Sequence, residues 1–213
     1  LFPYTTLFRS VDNAKKYFDK YAKLKRTFEA LNIQIAETKE EIEHLESISN
    51  SLDIARQDSD LTAIKHELSD CGYIKKHHEK NKGSKNTGKS KPLHYISSDG
   101  FDMYVGKNNY QNDDLTFKVA TGNDWWFHAK ASAGSHVIVK TEGKELPDRT
   151  FEEAARLAAH YSKACEQGKA EIDYIQKKHI KKPNGSKPGF VVYYTNYSMT
   201  ISTDITGIQE VTE

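Results

Sequence analysis

One stretch limits what this chain can fold into more than any other: an apolar heptad repeat over residues 14–52. With Ala14 at position a, the a positions are Ala14, Tyr21, Phe28, Ile35, Ile42 and Ser49, and the d positions are Tyr17, Leu24, Leu31, Thr38, Leu45 and Leu52. Ten of these twelve are apolar or aromatic. A 3.5-residue period held that long specifies a coiled-coil helix. No Gly or Pro interrupts it, and at 1.5 Å per residue it spans about 58 Å. A lone helix cannot bury such a seam, and the chain has no second heptad stretch of that length. The expected partner is a second copy or an antiparallel helix from preceding sequence.

Charge divides the rest. The net charge of +1 averages three blocks. Residues 11–74 carry 9 basic and 13 acidic side chains, 75–92 carry seven Lys and one Glu, and 93–213 carry 14 basic and 16 acidic. We read 11–74 as a coiled-coil arm plus a short helix, in which Leu61, Ile64 and Leu68 share a face and Gly72 supplies a left-handed stop. Residues 75–92 read as a Lys-rich linker. Residues 93–213 form the compact domain. Residues 1–10, LFPYTTLFRS, show no helical period and resemble a translated sequencing-adapter remnant. We read them as non-native, in which case the chain is expected to be the C-terminal piece of a longer protein; the alternative reading is an ordinary loop. No apolar run reaches membrane-spanning length, and no signal pattern is visible. With Cys71 and Cys165 as the only cysteines, a reducing cytoplasm is expected. Cys71 reads as a buried small hydrophobe. Neither a metal site nor a cofactor motif is identified.

Residues 94–105 read as a hairpin turning at Asp99-Gly100. Residues 109–120 fit a short helix with Tyr110, Leu115, Val119 and Ala120 inward, and 124–130 and 135–140 fit strands. Thr150 and Glu153 have capping-box spacing at the head of a helix, and 170–175, 190–194 and 198–202 read as further strands. The expected class is α+β: a largely antiparallel sheet with one principal helix, preceded by a long coiled-coil helix.

Three polar-rich stretches are candidate RNA contacts. The first is Lys107, Asn108 and Asn109 with Asn112 and Asp113; these amides suit a phosphate, sugar or base edge, and equally suit helix caps. Lys118 lies just beyond. The second is Trp126, His128 and Lys130, which alternate onto one face, with Ser135 and His136 following. An aromatic beside such groups can stack an unpaired base, or serve as a core Trp beside a structural His. The third is Lys177, Lys178, Lys181, Lys182 and Lys187, bracketing Pro183-Asn184-Gly185, a pattern that fits a phosphate-binding surface or a solvated loop.

GKNNYQND, DWWFHAK, GSHVIVK, TFEEAARLAAHYSKA and IKKPNGSKPGFVVY together resemble the NFACT-R domain (DUF814). NAKKYFDKYAKLKRTFEALNIQIAETKEEIEHLE resembles the second coiled-coil arm of the same proteins. These are the bacterial ribosome quality-control factors of the RqcH family, formerly called fibronectin-binding protein A-like. The resemblance covers about 11–205. It implies binding to large ribosomal subunits that hold a stalled peptidyl-tRNA, and recruitment of alanyl-tRNA for untemplated alanine tails. The coiled coil would reach toward the stalk base, and NFACT-R would bind RNA. It also implies a tRNA-recruiting NFACT-N domain and a first coiled-coil arm outside this chain. The expected role here is ribosome docking and RNA contact without catalysis, with the large subunit, tRNA and a coiled-coil partner helix as partners and no membrane. Two departures stand out. The family's Gly-Arg before the paired Asn is Gly106-Lys107 here, which keeps the charge but loses the bidentate fork. An acidic residue and Pro in the family give way to Ala131-Ser132-Ala133, which loosens that loop. Two other classes were weighed: a cell-surface adhesin, and an RNA-processing enzyme using Asp124, His128 and Asp173.

Overall fold

A computed structural model describes the backbone of residues 5–75 and 90–212, and the side chains from residue 10 onward within them. Most of the Lys-rich linker lies outside the described residues. The chain divides into two compact units, Leu1–Glu43 and His44–Glu213.

The first unit is helical. Helix α1 (Thr5–Ile54) begins inside the segment set aside as lacking helical period. None of residues 5–10 is Gly or Pro, and a formed helix propagates through such residues at little cost. The heptad seam has no cover: Tyr17, Tyr21, Leu24, Phe28, Leu31, Ile35 and Ile42 are 49–73% exposed. Despite its length, no described helix is long and apolar enough to cross a membrane.

The second unit opens with the last turns of α1, where the inward stripe changes. Leu45 and Leu52 stay 43% and 49% exposed, whereas His44, Ile48 and Ser51 are buried. The buried positions follow i, i+4, i+7, one face of an α-helix. Helix α2 (Asp58–Asp70) follows, with Gln57 as its N-cap and Gly72 left-handed at φ +80°. Of the face expected to be apolar, Ile64 is buried and Leu61 exposed. The face is completed by Asp60 and Glu67, which are also buried. Cys71 is half-buried; burial, then the charge of Glu67, pushes its thiol pKa up.

The sheet has seven strands: β1 (Leu93–Ile96), β2 (Asp102–Val105), β3 (Trp125–Ala129), β4 (Val137–Val139), β5 (Lys169–Gln176), β6 (Tyr197–Ser202) and β7 (Gln209–Glu210). Their order is β6-β5-β3-β4-β2-β1-β7, and every pair is antiparallel. The α+β expectation holds. Side chains alternate across the pleat. One face, with Met103, Val105, Phe127, Ala129, Val137, Val139 and Ile172, packs on helix α4 (Asp148–His160). Ala154, Ala155, Ala158 and Ala159 are fully buried there, and their small side chains let the helix approach closely. The other face carries a second core of Leu115, Ala120, Trp126, Ile138, Ile175 and Ile180. With both faces covered, β4 reads Val-Ile-Val without a polar break.

Three local expectations change. The helix over 109–120 is α3 (Asn109–Asp114) followed by a π-helical turn (Leu115–Val119), which leaves Val119 43% exposed. The segment 190–194 is not a strand of the sheet but bridges only Lys181 to Val192, because Val191 and Tyr193 turn onto the second core. The Thr150/Glu153 capping box does not form, since α4 starts at Asp148 behind Pro147. Instead Thr150 Oγ1 donates to Asp99 Oδ2 at 2.8 Å, and Glu153 Oε2 accepts from the Ser98 N–H at 2.7 Å. Both side chains pin the β1–β2 turn to the helix.

The Lys107 ammonium is enclosed rather than presented. Its Nζ lies 2.6 Å from Asp60 Oδ1, with the two side chains 8% and 1% exposed. Asp60 Oδ2 also accepts the N–H groups of Arg56 at 3.0 Å and Gln57 at 3.2 Å. Burial alone would raise the Asp60 pKa, but Lys107, Ser90 and the Arg56 amide outweigh it and hold it low. Lys107→Ala is expected to destabilise the fold by about 3–5 kcal/mol in urea denaturation, because it strands a buried carboxylate. A loss within the ~1 kcal/mol of a surface pair would show that Asp60 finds solvent.

Candidate nucleic-acid interface

The polar stretch 106–113 is a scaffold. Asn108 caps α3, its side chain accepting from the Gln111 N–H at 3.0 Å. Asn109 Nδ2 donates to Glu67 Oε1 and Ser47 Oγ, each at 2.7 Å. Asn112 Oδ1 accepts the His136 N–H at 3.0 Å. All three amides are at most 3% exposed. The backbone closes around them. A Cβ on Gly106 would lie 2.1 Å from Asn112 Oδ1, and one on Gly189, which has φ +80°, would lie 2.6 Å from Asn109 Oδ1. Only glycine fits at either place.

Glu67 sits at the centre of this scaffold. Its Oε1 lies 3.0 Å from His44 Nε2, and His44 Nδ1 lies 3.2 Å from the Tyr73 hydroxyl. With its proton on Nε2, the imidazole donates to the carboxylate and accepts from the phenol. Tyr73 in turn accepts from Lys187 Nζ at 3.0 Å, and that ammonium lies 5.6 Å from the Tyr73 ring centroid. Neither Glu67 nor His44 was legible as a site-building residue, because each stands alone among seam and surface residues. Among the described residues, Glu67 Oε2 and Trp126 Nε1 are buried without a hydrogen-bond partner.

The scaffold holds a basic connection against the second core. Asp113 pairs with Lys182 and accepts the Gly189 N–H at 3.1 Å, which fixes both ends of the 182–189 loop. Lys182 Nζ then lies 6.0 Å, and Lys177 Nζ 5.9 Å, from the centroid of the Phe117 ring. The backbone N–H groups of Lys177 and Lys178 bond to the carbonyls of Asp124 and Gly122. Lys178 and Lys181 are exposed. Lys118, 75% exposed, pairs with Asp114 one helical turn back. The result is a half-buried phenyl ring flanked by two ammonium groups, with further lysines exposed nearby in sequence, an arrangement suited to a phosphate backbone with a stacked base. Phe117 was not singled out from sequence, although its place beside Lys118 was the available signal.

The second candidate stretch is largely enclosed in the second core. Trp126 is 1% exposed, stacked on His128 at 5.6 Å and covered by Tyr193 at 5.2 Å and the edge of His136 at 5.1 Å. It is the core Trp of the second face, not a free stacking surface. Ser135 and His136 are buried too, with His136 Nδ1 2.8 Å from Thr116 Oγ1. Lys130 is at the opposite end of β3 from Lys177 and pairs with Glu171 at 2.6 Å. Lys107, Asn108, Asn109, Asn112, Trp126, Ser135 and His136 are therefore enclosed, and Lys118, Lys177, Lys178, Lys181, Lys182 and Lys187 gather on or beside the basic connection.

The acid–base trio does not converge. His128 lies opposite Asp173 in the β3–β5 register. Asp124 precedes the other end of β3, about 13 Å along the strand. Its Oδ1 accepts the Thr141 N–H at 2.8 Å and its Oδ2 meets Lys140 Nζ at 2.5 Å. Burial raises its pKa, but Lys140 and the amides of Thr121 and Thr141 hold it low. Asp173 accepts from Tyr193 at 2.9 Å and Ser198 at 2.6 Å.

Comparison with known proteins places these features in a family. The profile of the NFACT N-terminal and middle domains matches residues 8–87, and that of the NFACT protein RNA binding domain matches residues 91–194. The chain is 42% identical over 182 residues to a Streptococcus suis protein named Rqc2 homolog RqcH, covering 85% of this chain and 32% of that one. It is 37% identical over 195 residues to the Bacillus subtilis protein of the same name, covering 91% and 33%. The chain thus spans about a third of the length of these relatives. The solved C-terminal part of the fibronectin/fibrinogen-binding protein from Streptococcus suis superposes with a TM-score of 0.81 at 37% identity, covering 94% of this chain and 80% of that one.

Burial of the two imidazoles makes a pH prediction. Desolvation pushes the His128 pKa down to about 4, and that of His136 well below its usual range, with His128 adding to the effect. The unfolded chain, with ordinary values near 6.5, binds these protons first. Stability is therefore full above about pH 6.5 and falls as pH drops toward 4. The urea midpoint is expected to decline between about pH 7 and 5, and His128→Gln to flatten that decline. A midpoint independent of pH over that range contradicts the assignment.

Proposed function

Because this chain belongs to the NFACT family, we propose that it supplies the RNA-contacting and ribosome-docking part of a ribosome quality-control factor. The observation that carries this reading is the half-buried Phe117 ring flanked by the Lys177 and Lys182 ammonium groups, on a connection that also presents Lys178 and Lys181 to solvent. Lys118, Lys177, Lys178, Lys181, Lys182 and Lys187 are the RNA contacts, neutralising successive phosphates while Phe117 offers a ring to one base. Lys107, Asn108, Asn109, Asn112 and Asp113 act as positioning residues that hold the basic connection. Trp126, His128, Ser135 and His136 support it from beneath. Both imidazoles are uncharged near neutral pH, so the attraction to phosphate comes from ammonium groups.

The partners are the large ribosomal subunit carrying a stalled peptidyl-tRNA, and tRNA itself. Alanyl-tRNA recruitment and untemplated alanine tailing belong to the whole protein in the cytoplasm, with this part non-enzymatic. The exposed seam of α1 supports a helix partner, either a first coiled-coil arm or a second copy. The exposed apolar residues of that seam, from Tyr17 to Ile42, are what such a partner would cover.

Filter binding to tRNA and to large subunits across a salt series tests the proposal. Affinity is expected to fall steeply with salt, and Lys178→Glu with Lys181→Glu to lower the log–log slope by about one per lysine. Phe117→Ala is expected to cost roughly 1–3 kcal/mol of binding if a base stacks there. Binding indifferent to salt and to both lysine reversals refutes the reading.

A further inference from the structure

The opposite face of the sheet, at its β6 edge, carries a second built feature. Trp125, Phe151, Tyr174 and Tyr197 line a cavity of about 540 Å³. Trp125 meets Phe151 edge-on at 4.8 Å, and Tyr174 and Tyr197 at 5.9 Å and 6.4 Å. Tyr174 and Tyr197 stack at 5.5 Å. The rings meet at interplanar angles from 28° to 80° and together form an aromatic wall. Tyr197 is 63% exposed, an unusual position for a ring with only a packing role.

Asp148 and Glu152 line the same cavity. They stand four residues apart on α4 and are both exposed, so they are neighbours on one helix face and repel each other. Neither belongs to any ion pair among the described residues, whereas the adjacent Arg149 is committed to Glu153 at 3.4 Å. Among the described residues, no Lys or Arg lines the cavity. Aromatic faces carry negative quadrupole potential, and two carboxylates at the rim add to it. Such a site repels a phosphate and attracts a cation. Tyr197 also begins β6, which pairs with β5 on one side and, among the described residues, with no strand on the other. A polypeptide can lie along that free edge and place a side chain in the cavity.

We propose that this aromatic, acid-rimmed cavity binds an arginine side chain of a partner protein presented on an extended segment. A guanidinium fits both elements of the site: its plane stacks on the rings, and its fork meets a carboxylate in two parallel hydrogen bonds. The protein contact and the basic RNA surface then lie on opposite faces of the sheet, so both can be engaged together.

The test uses the full chain with its two Trp indoles labelled with ¹⁵N, since Trp126 is buried and Trp125 reports the cavity. The probe is a Gly-Arg-Gly-Arg-Gly peptide, compared with the same peptide carrying citrulline, which keeps the shape and removes the charge. The Trp125 indole signal is expected to shift with the Arg peptide, and the citrulline peptide to bind at least about tenfold more weakly. Tyr197→Ala, and Asp148→Asn with Glu152→Gln, alter exposed side chains and are expected to lower affinity about tenfold each while leaving tRNA binding unchanged. The proposal fails if the indole signal is unmoved at millimolar Arg peptide, or if citrulline binds equally. It also fails if Tyr197→Ala weakens tRNA binding instead, which would make the cavity a base-stacking site.

Discussion

The arrangement of the second unit rests on the need to satisfy polar groups that the fold has taken out of water. Glu67 and Asp60 are buried on one face of α2, and a buried carboxylate is tolerated only when paired and hydrogen-bonded. Lys107 meets that need for Asp60, and the Asn109 amide meets it for one oxygen of Glu67, whose Oε2 has no partner among the described residues. Doing so fixes the 106–113 segment against α2 and draws Gly106 and Gly189 into contact with the asparagines. The basic connection follows, because Gly189 and Lys182 are both tied to Asp113. The basic connection is thus tied, through Asp113, to a segment that the buried carboxylates of α2 hold in place.

This division of labour explains why polar residues close in sequence have such different fates. Lys107 and Lys118 are both cations near α3. One is enclosed by a single carboxylate; the other stands mostly in water beside Asp114. A residue that will be read by a partner must keep its charge accessible, and one that shapes the site must give that up. His128 and His136 fall on the second side, since burial keeps them uncharged where a phosphate-binding imidazole would be protonated.

Sequence reading recovered what periodicity and turn chemistry encode. The heptad over 14–52, the Asp99-Gly100 hairpin and the alternation of Trp125, Phe127 and Ala129 against Trp126 and His128 all rest on local repeats, and α1, β1–β2 and β3 follow them. It missed features whose cause is tertiary. The stripe of His44, Ile48 and Ser51 has little apolar character, so Leu45 and Leu52 drew the eye although both remain exposed. Thr150 and Glu153 match a capping box, but the β1–β2 turn offers them better partners. Strand β7 is two residues long, too short for any period. Among site residues, the lysines of 177–187 were visible as a cluster and Phe117 was not, because its role depends on the chain returning through residues 177 and 182.

The alternation within β3 also places two chemistries back to back. Trp125 and Trp126 are consecutive, so the pleat sends one indole to each face. Trp126 becomes the floor beneath the basic connection, enclosed by His128, His136 and Tyr193. Trp125 becomes one wall of an aromatic cavity whose rim is acidic. A register slip of one residue would exchange the two rings, turning Trp125 under the basic connection and Trp126 toward the cavity. The β3–β5 and β3–β4 pairings prevent this, since Phe127 and Ala129 are anchored against the alanines of α4 and cannot turn to the other side. The same constraint that sets the hydrophobic core therefore decides which indole underlies the basic connection and which lines the acid-rimmed cavity.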